Sequence, residues 1–509
     1  MRMPRTLYVV VSVLCVGVLV TLLNVLQLRA MQREHFDQKH SIPSVEASHE
    51  SGMKTKPVAF VNAKNPDSGY LDHVFAVLHR LGYKRGYDKD FAWDVLWNHD
   101  YPFLDQKLKP ILLNLKPYQK VNHVPGSGFY TSKVNLATSN ITGIPPAFSL
   151  PEQKTKFLSF ADSHPEKYWV QKSNKHRGIK ITRVEELDLN AENSFVQEYV
   201  SKPLLIDAKK FDIGIYTVVT SLLPLRVYTF EGDALLRFCP IDYHPFDPEV
   251  LDKYVVGDDY TPVWKMPSLS KYYTDLGFTF KESLNAYLRS KGNDPSVIWS
   301  RMRDTIRQVF RAKASEMQPL LTKYKYTWNF FELSRFDFVL DEDLNVYLME
   351  ANMSPNLSSG HFPPNKLLYE QVLFSLFSVV GVARSIHTET LEIKTKDESQ
   401  MLASDKDVQV FADRCAKCIN CNKQPCPLCK QCLSEKDKTV LRLAFEEHLN
   451  RQHMRRVIPE PLFTPQSPLT SSDSAFSRHL QVNQVEASED LMMAWWFRGK
   501  CLQEPSWCF

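Results

Sequence analysis

Two carboxylates and an amide cluster within the stretch Phe330–Ser359: Asp337, Glu350 and Asn352. Runs of β-branched, aromatic and aliphatic residues flank the acidic turn Asp341-Glu342-Asp343-Leu344-Asn345, which predicts a β-hairpin. Residues two apart share one face of a strand, so Glu350 and Asn352 project together, and Asp337 lies across the ladder from them. An Asp, a Glu and an amide oxygen form an oxygen-only set. A hard ion such as Mg²⁺ takes such donors together with substrate phosphates. An acidic, solvated hairpin would carry the same three residues, so the cationic half of a site has to decide between the two.

That half is spread along the chain. Pro125, Gly126 and Gly128 force an irregular turn, after which Lys133 opens a helix. Residues 168–182 read as strand, loop, strand, with Lys172 closing the first strand. The loop Ser173–Gly178 offers backbone N–H groups, Lys175, Arg177 and Gly178 to an anion, although the GxxxxGK[ST] spacing of a Walker A loop is absent. Val196-Gln197-Glu198-Tyr199-Val200 belongs to another apolar strand. Alternation along Lys209–Ser221 sets Lys210, Asp212 and Gly214 on one face. The next hairpin turns at Glu231-Gly232-Asp233 and carries Arg237. Taken singly, each of these lysines is an ordinary surface residue.

The elements that must position them are α+β. A short βα unit follows Pro57, with a helix near 71–81 capped by Gly82. The middle of the chain is mainly antiparallel sheet, and helical periods run over 297–321 and 366–386. With 509 residues, 43% apolar and 24% charged, the chain is long enough for a large core, and bulk disorder is excluded. A net charge of only +4 argues against a nucleic-acid partner.

The ends differ in kind. Residues 7–28 are uncharged and meet the roughly 20-residue length of a bilayer span. The expectation is therefore a single-pass anchor over 1–28, with charge flanks that leave its orientation open, followed by a polar stalk over 29–56 and a catalytic domain over 57–387. Residues 388–509 read as a polar tail whose last 50 residues are mostly low in order, with Trp495-Trp496-Phe497 docking back. Cys415, Cys418, Cys421, Cys426, Cys429 and Cys432 concentrate in a module over 415–432. Their Cys-x2-Cys pairs suit Zn²⁺ thiolate sites, and an oxidising lumen would instead turn them into disulfides.

In this order, the blocks over about 90–385 resemble the tubulin–tyrosine ligase-like family of ATP-grasp amino-acid ligases. The blocks are Asn122-His123-Val-Pro-Gly with Lys133, Tyr168-Trp-Val-Gln-Lys172, Arg177-Gly178-Ile179, Val196-Gln-Glu-Tyr199, Lys210-Phe-Asp212, Arg237-Phe, Phe-Asp337, and Leu-Met-Glu350-Ala-Asn352-Met-Ser-Pro355. The resemblance implies an ATP-grasp-like fold and an ATP- and Mg²⁺-dependent ligase of the tubulin polyglutamylase type. It implies that Lys133, Lys172, Arg177, Gly178 and Lys210 serve the nucleotide and that Gln197, Glu198 and Val200 form the adenine hinge. Asp337, Glu350 and Asn352 match the Mg²⁺ ligands, and Asp212, Arg237 and Glu350 the catalytic set. The implied partners are glutamate and an acidic protein, foremost the tails of tubulin. In the implied mechanism ATP activates a carboxylate as an acyl phosphate, which an amine attacks to form the peptide or isopeptide bond. Three features depart from the family pattern: Gly214 stands where the block ends in arginine, Arg335 where a glycine precedes the metal strand, and the family's His-Leu-Thr-Asn segment, expected near 250–265, is not recognisable in Leu251–Tyr260. The alternative expectation is a pseudoenzyme that binds nucleotide as a scaffold, in a lumen.

Overall fold

Short apolar runs from Val58 onward build a parallel ladder. Val58–Asn62 (β1) leads through the helix Asp72–Arg80 to Lys84–Gly86 (β2), and the two strands pair in parallel. Val95–Asn98 (β3) pairs in parallel with β1, and Lys120–Asn122 (β4) with β3. The computed structural model describes residues 56–87, 93–173, 179–383, 401–464, 466–485 and 487–509.

A separate antiparallel sheet follows, in the order Ala147–Leu150 (β5), Ser194–Glu198 (β8), Trp169–Ser173 (β6) and Lys180–Thr182 (β7). Its own small core gathers Phe157, Trp169 and Val196, with Phe148 against them. The chain then returns to the first sheet through Leu205–Ile206 (β9), Lys209–Leu222 (β10), Leu225–Phe230 (β11) and Leu235–Phe238 (β12). Phe330–Leu340 (β13) and Val346–Met353 (β14) form the hairpin the sequence predicts, and Met454–Ile458 (β15) adds an edge.

The result is an 11-stranded mixed sheet with the path β15-β11-β10-β13-β4-β3-β1-β2. Its antiparallel half agrees with the sequence reading except at the hairpin expected to turn at Glu231-Gly232-Asp233: β11 and β12 each pair with β10 instead, one after the other along it. The parallel half extends further than the single βα unit expected, because strands of three to five residues show too little of a period to be recognised. β13 joins the halves: it pairs antiparallel with β10 and β14 and in parallel with β4, and all eleven of its residues are buried. The amphipathic helix Ser296–Met317 lays Met302, Ile306, Val309 and Phe310 on this sheet's core.

The stretch read as a polar tail is folded wherever it is described. Trp495, Trp496, Phe497 and Trp507 form a second apolar core with Leu441 and Ala444 of the helix Glu435–Leu449. β15 pairs with β11. The buried Glu447 carboxylate accepts from Arg226 at 2.8 and 2.9 Å and from Thr220 at 2.9 Å.

Two expectations are corrected. The six clustered cysteines hold no zinc: they pair as Cys415–Cys429, Cys418–Cys426 and Cys421–Cys432, with a fourth bridge, Cys501–Cys508, near the end of the chain. Each sulfur is spent in a covalent bond, which removes the thiolate a zinc ion needs. The single transmembrane helix, and with it the assignment as a single-pass membrane protein, also falls. Among the described residues no helix is long and apolar enough to cross a membrane, and residues 7–28 lie outside them, as does the 29–55 part of the stalk.

Candidate active site

Strand register assembles the site. Gly214 of β10 lies opposite Asp337 of β13, and Tyr216 opposite Arg335. β14 sets Glu350 opposite Asp337 and Asn352 opposite Arg335, and β12 sets Arg237 opposite Asp212. Four strands therefore aim Asp212, Arg237, Arg335, Asp337, Glu350 and Asn352 at one face of the sheet. The sequence brings the hairpin residues together by alternation alone; their meeting with Asp212 and Arg237 depends on pairings between distant segments.

The charges interlock. Arg237 grips Asp212 with two N–H groups at 2.9 and 2.7 Å and donates to Asp337 at 3.1 Å. Arg335 forks onto both oxygens of Asp337, at 2.7 and 2.9 Å. The Asn352 amide donates to Asp337 at 2.9 Å and to Glu350 at 3.0 Å. Lys133, at the first turn of the helix Lys133–Ala137, stands 3.6 Å from the other Glu350 oxygen. Burial would raise the Glu350 carboxyl, but Lys133, the Asn352 amide, Arg335 and Lys172 outweigh it and hold it down to about 2. Burial pushes the Asp212 carboxyl up to about 6 against the pull of Arg237.

A cavity opens where this face meets the small sheet. Val170, Lys172 and Ile181 line it from one side, and Lys210, Arg237, Asp337 and Glu350 from the other, with Val200 at its edge. Burial draws the Lys172 ammonium down to about 8; Glu350 resists this, and Lys210 and Lys133 add to it. Its Nζ donates to the buried Gln197 side chain at 3.4 Å. Lys210, lowered mainly by burial, donates to the Tyr254 carbonyl at 2.8 Å. Glu198 pairs with Lys167 at 2.7 Å. Arg177 and Gly178 lie outside the described residues.

Sequence reasoning missed the apolar walls of this cavity. Ile179, Tyr199, Tyr254, Val255 and Met349 line it. Tyr254 and Val255 come from a Pro- and Asp-rich segment without periodicity, so nothing local marked them. It also missed that Arg335 grips the proposed metal aspartate, although alternation already placed the two residues on one face.

For a divalent cation the donor set is two carboxylates and one amide. Among the described residues no cluster of three or more His, Cys, Asp and Glu is arranged to hold a metal ion. A Mg²⁺ ion keeps several waters and takes substrate phosphates, so two carboxylates with an amide oxygen suit it. Asn352 would offer that oxygen after a half-turn about its Cβ–Cγ bond. Among the described residues five cations, namely Lys133, Lys172, Lys210, Arg237 and Arg335, surround three carboxylates, namely Asp212, Asp337 and Glu350. A surplus of two positive charges, a Mg²⁺-type donor set and an apolar cleft between two sheets together suit the class of proteins that hold a magnesium–polyphosphate ligand.

Comparison with known proteins gives that class a family. Residues 105–389 match the tubulin-tyrosine ligase family, and the chain belongs to it. It is 45% identical over 466 residues to the probable tubulin polyglutamylase ttll-15 of Caenorhabditis elegans, covering 89% of this chain and 87% of that one. It is 28% identical over 310 residues to the human tubulin monoglutamylase TTLL4, and 26% over 333 residues to the mouse tubulin polyglutamylase TTLL5. Those stretches cover 57% and 60% of this chain and only 25% and 24% of the two relatives.

Proposed function

We propose that the protein is an ATP- and Mg²⁺-dependent amino-acid ligase that joins glutamate to a carboxylate of an acidic protein, tubulin tails foremost. The observation that carries this reading is the convergence of Lys133, Lys172, Lys210 and Arg237 on Asp337, Glu350 and Asn352 beside an apolar cleft, in a chain of the tubulin-tyrosine ligase family. The names of the relatives, tubulin polyglutamylases and a monoglutamylase, support the substrate class.

The chemistry asks little covalent work of the protein. An acceptor carboxylate oxygen attacks the γ-phosphorus and ADP leaves. The amine of the incoming glutamate then attacks the acyl carbon, phosphate departs with the acyl oxygen, and the amine loses a proton as the amide forms. Negative charge builds on phosphoryl oxygens and then on the tetrahedral acyl centre, and positioned cations stabilise it. Lys172 and Lys210 face the cleft from its two walls, where they would take phosphate charge, with Lys133 beside Glu350 and Arg237 paired with Asp212. A magnesium ion bound through Glu350, Asp337 and Asn352 would neutralise phosphate charge. Ile179, Tyr199 and Val255 would exclude water from the base.

The test is ATP-dependent incorporation of labelled glutamate into microtubules by purified protein. Glu350→Gln keeps the shape but removes a ligand charge, and should lower the rate by about 100-fold or more. Absence of any ATP-dependent incorporation, or a Glu350→Gln variant as active as the parent, would sink the reading.

A further inference from the structure

Gly214 sits inside the 14-residue strand β10, where a glycine is costly and usually marks a close approach. What approaches is Arg335. A Cβ built on Gly214 would lie 2.8 Å from Arg335 Cδ, 3.3 Å from its Cγ and 3.2 Å from Asp337 Oδ1. The glycine is the socket through which the Arg335 stem passes to reach Asp337.

The consequence falls on Asp337. It is buried and accepts four hydrogen bonds: two from Arg335, one from Arg237 and one from Asn352. Three of them converge on Oδ2 and the Arg335 Nε–H holds Oδ1 at 2.7 Å, so a guanidinium N–H sits on each carboxylate oxygen. Glu350 differs: its side chain is 31% exposed, one oxygen takes the Asn352 amide, and the other has Lys133 only at 3.6 Å. A bare divalent cation would have to displace a guanidinium from Asp337 and enter a cleft that already carries surplus positive charge. A triphosphate changes both terms. Its oxygens offer the two guanidiniums other acceptors, and its charge offsets that of the ion.

We propose that Arg335, seated across Gly214, is a positioning residue that serves as the resident counter-ion of Asp337 and makes divalent-cation binding contingent on nucleotide. The nucleotide half of this inference rests on the ligase reading above; the bare-metal half does not.

Mn²⁺ titration of the full chain, followed by the electron-paramagnetic-resonance signal of free Mn²⁺, separates the two. With a non-hydrolysable ATP analogue present, wild type should bind Mn²⁺ at least about ten-fold more tightly than without it. Arg335→Gln should tighten bare Mn²⁺ binding by about ten-fold while changing the analogue-bound affinity by less than about three-fold. Gly214→Ala keeps every charge but pushes the Arg335 stem aside, and should move bare affinity in the same direction if Arg335→Gln folds poorly. Adding Asp337→Asn to Arg335→Gln should cancel the gain. The inference is overturned if both single variants leave bare Mn²⁺ affinity unchanged or weaker, or if wild type binds the analogue and yet binds Mn²⁺ equally well without it. A wild type that binds no analogue removes the nucleotide half together with the ligase reading, and the bare-metal titrations then decide the role of Arg335 on their own.

Discussion

Two buried arginine–carboxylate forks in this protein look alike and behave differently. Arg226 and Glu447 join β11 to the helix Glu435–Leu449, with Thr220 and Tyr228 also donating to the carboxylate. Both residues are almost fully buried, at 1% and 4% exposure, so the charges are sealed from solvent. Arg335 and Asp337 form the same fork on β13, but a second arginine, three lysines and an open cavity adjoin it. The first fork balances one charge with one charge and holds two elements together. The second is one part of an excess of cations around too few carboxylates, and an excess has meaning only with an anionic ligand. Charge closure, more than geometry, separates a structural ion pair from a functional one here.

The largest expected effect comes from opening the closed fork. Glu447→Ala strands the Arg226 guanidinium without its partner, which costs about 3–5 kcal/mol for a buried pair. Urea unfolding measures it, and a loss below about 1 kcal/mol would show that the pair is less sealed than its burial indicates. Double replacement Cys501→Ser with Cys508→Ser comes next. It frees a short loop closed beside Trp507 and should cost about 2–3 kcal/mol by the loop-entropy estimate. Arg335→Gln should cost less stability than either, about 1–2 kcal/mol, because Arg237 and Asn352 still donate to Asp337 and cation repulsion is relieved. A loss equal to that of Glu447→Ala would erase the distinction between the forks.

The sequence made the open fork more legible than the closed one. Alternation and an acidic turn defined the β13–β14 hairpin, and the observed strands end at Leu340 and begin again at Val346, flanking that turn. The 3.6-residue period over 297–321 gave the helix Ser296–Met317, though the chain tightens into a 3₁₀ turn after it, at Gln318. Gly214 was visible only as a departure, because its fit with Arg335 is a register between strands more than a hundred residues apart. β15 was invisible for the same reason. Met454-Arg-Arg-Val-Ile458 lacks clean alternation, and only the exposed edge of β11 makes it a strand. The tryptophans that core the C-terminal region were noticed as candidates for docking. Their three-dimensional partners, Leu441 and Phe445, lie on a helix about fifty residues earlier. Local pattern carried the hairpin half of the candidate site, and long-range pairing carried its meeting with Asp212 and Arg237 and nearly everything that supports it.

The smallest effect tests the surplus of charge directly. Lys172 is held down to about 8, chiefly by burial, with the neighbouring cations Lys210 and Lys133 adding to the shift. A bound triphosphate would favour the ammonium form and raise that value, so binding takes up protons near and above pH 8. The sign follows: nucleotide affinity is highest below about pH 8 and declines as pH rises through it, by up to about ten-fold per unit while the free site is deprotonated and the bound site is not. Titrating a fluorescent ATP analogue between pH 7 and 9.5 reads the slope. Lys172→Arg carries a charge that does not titrate in this range, so its profile should be flatter than that of wild type, with any remaining slope left to Lys210. A wild-type profile as flat as that of Lys172→Arg would mean that the lysine keeps its proton throughout. Burial and the neighbouring cations together would then be too weak to unseat that proton, and the cleft would offer a bound anion less than its lining indicates.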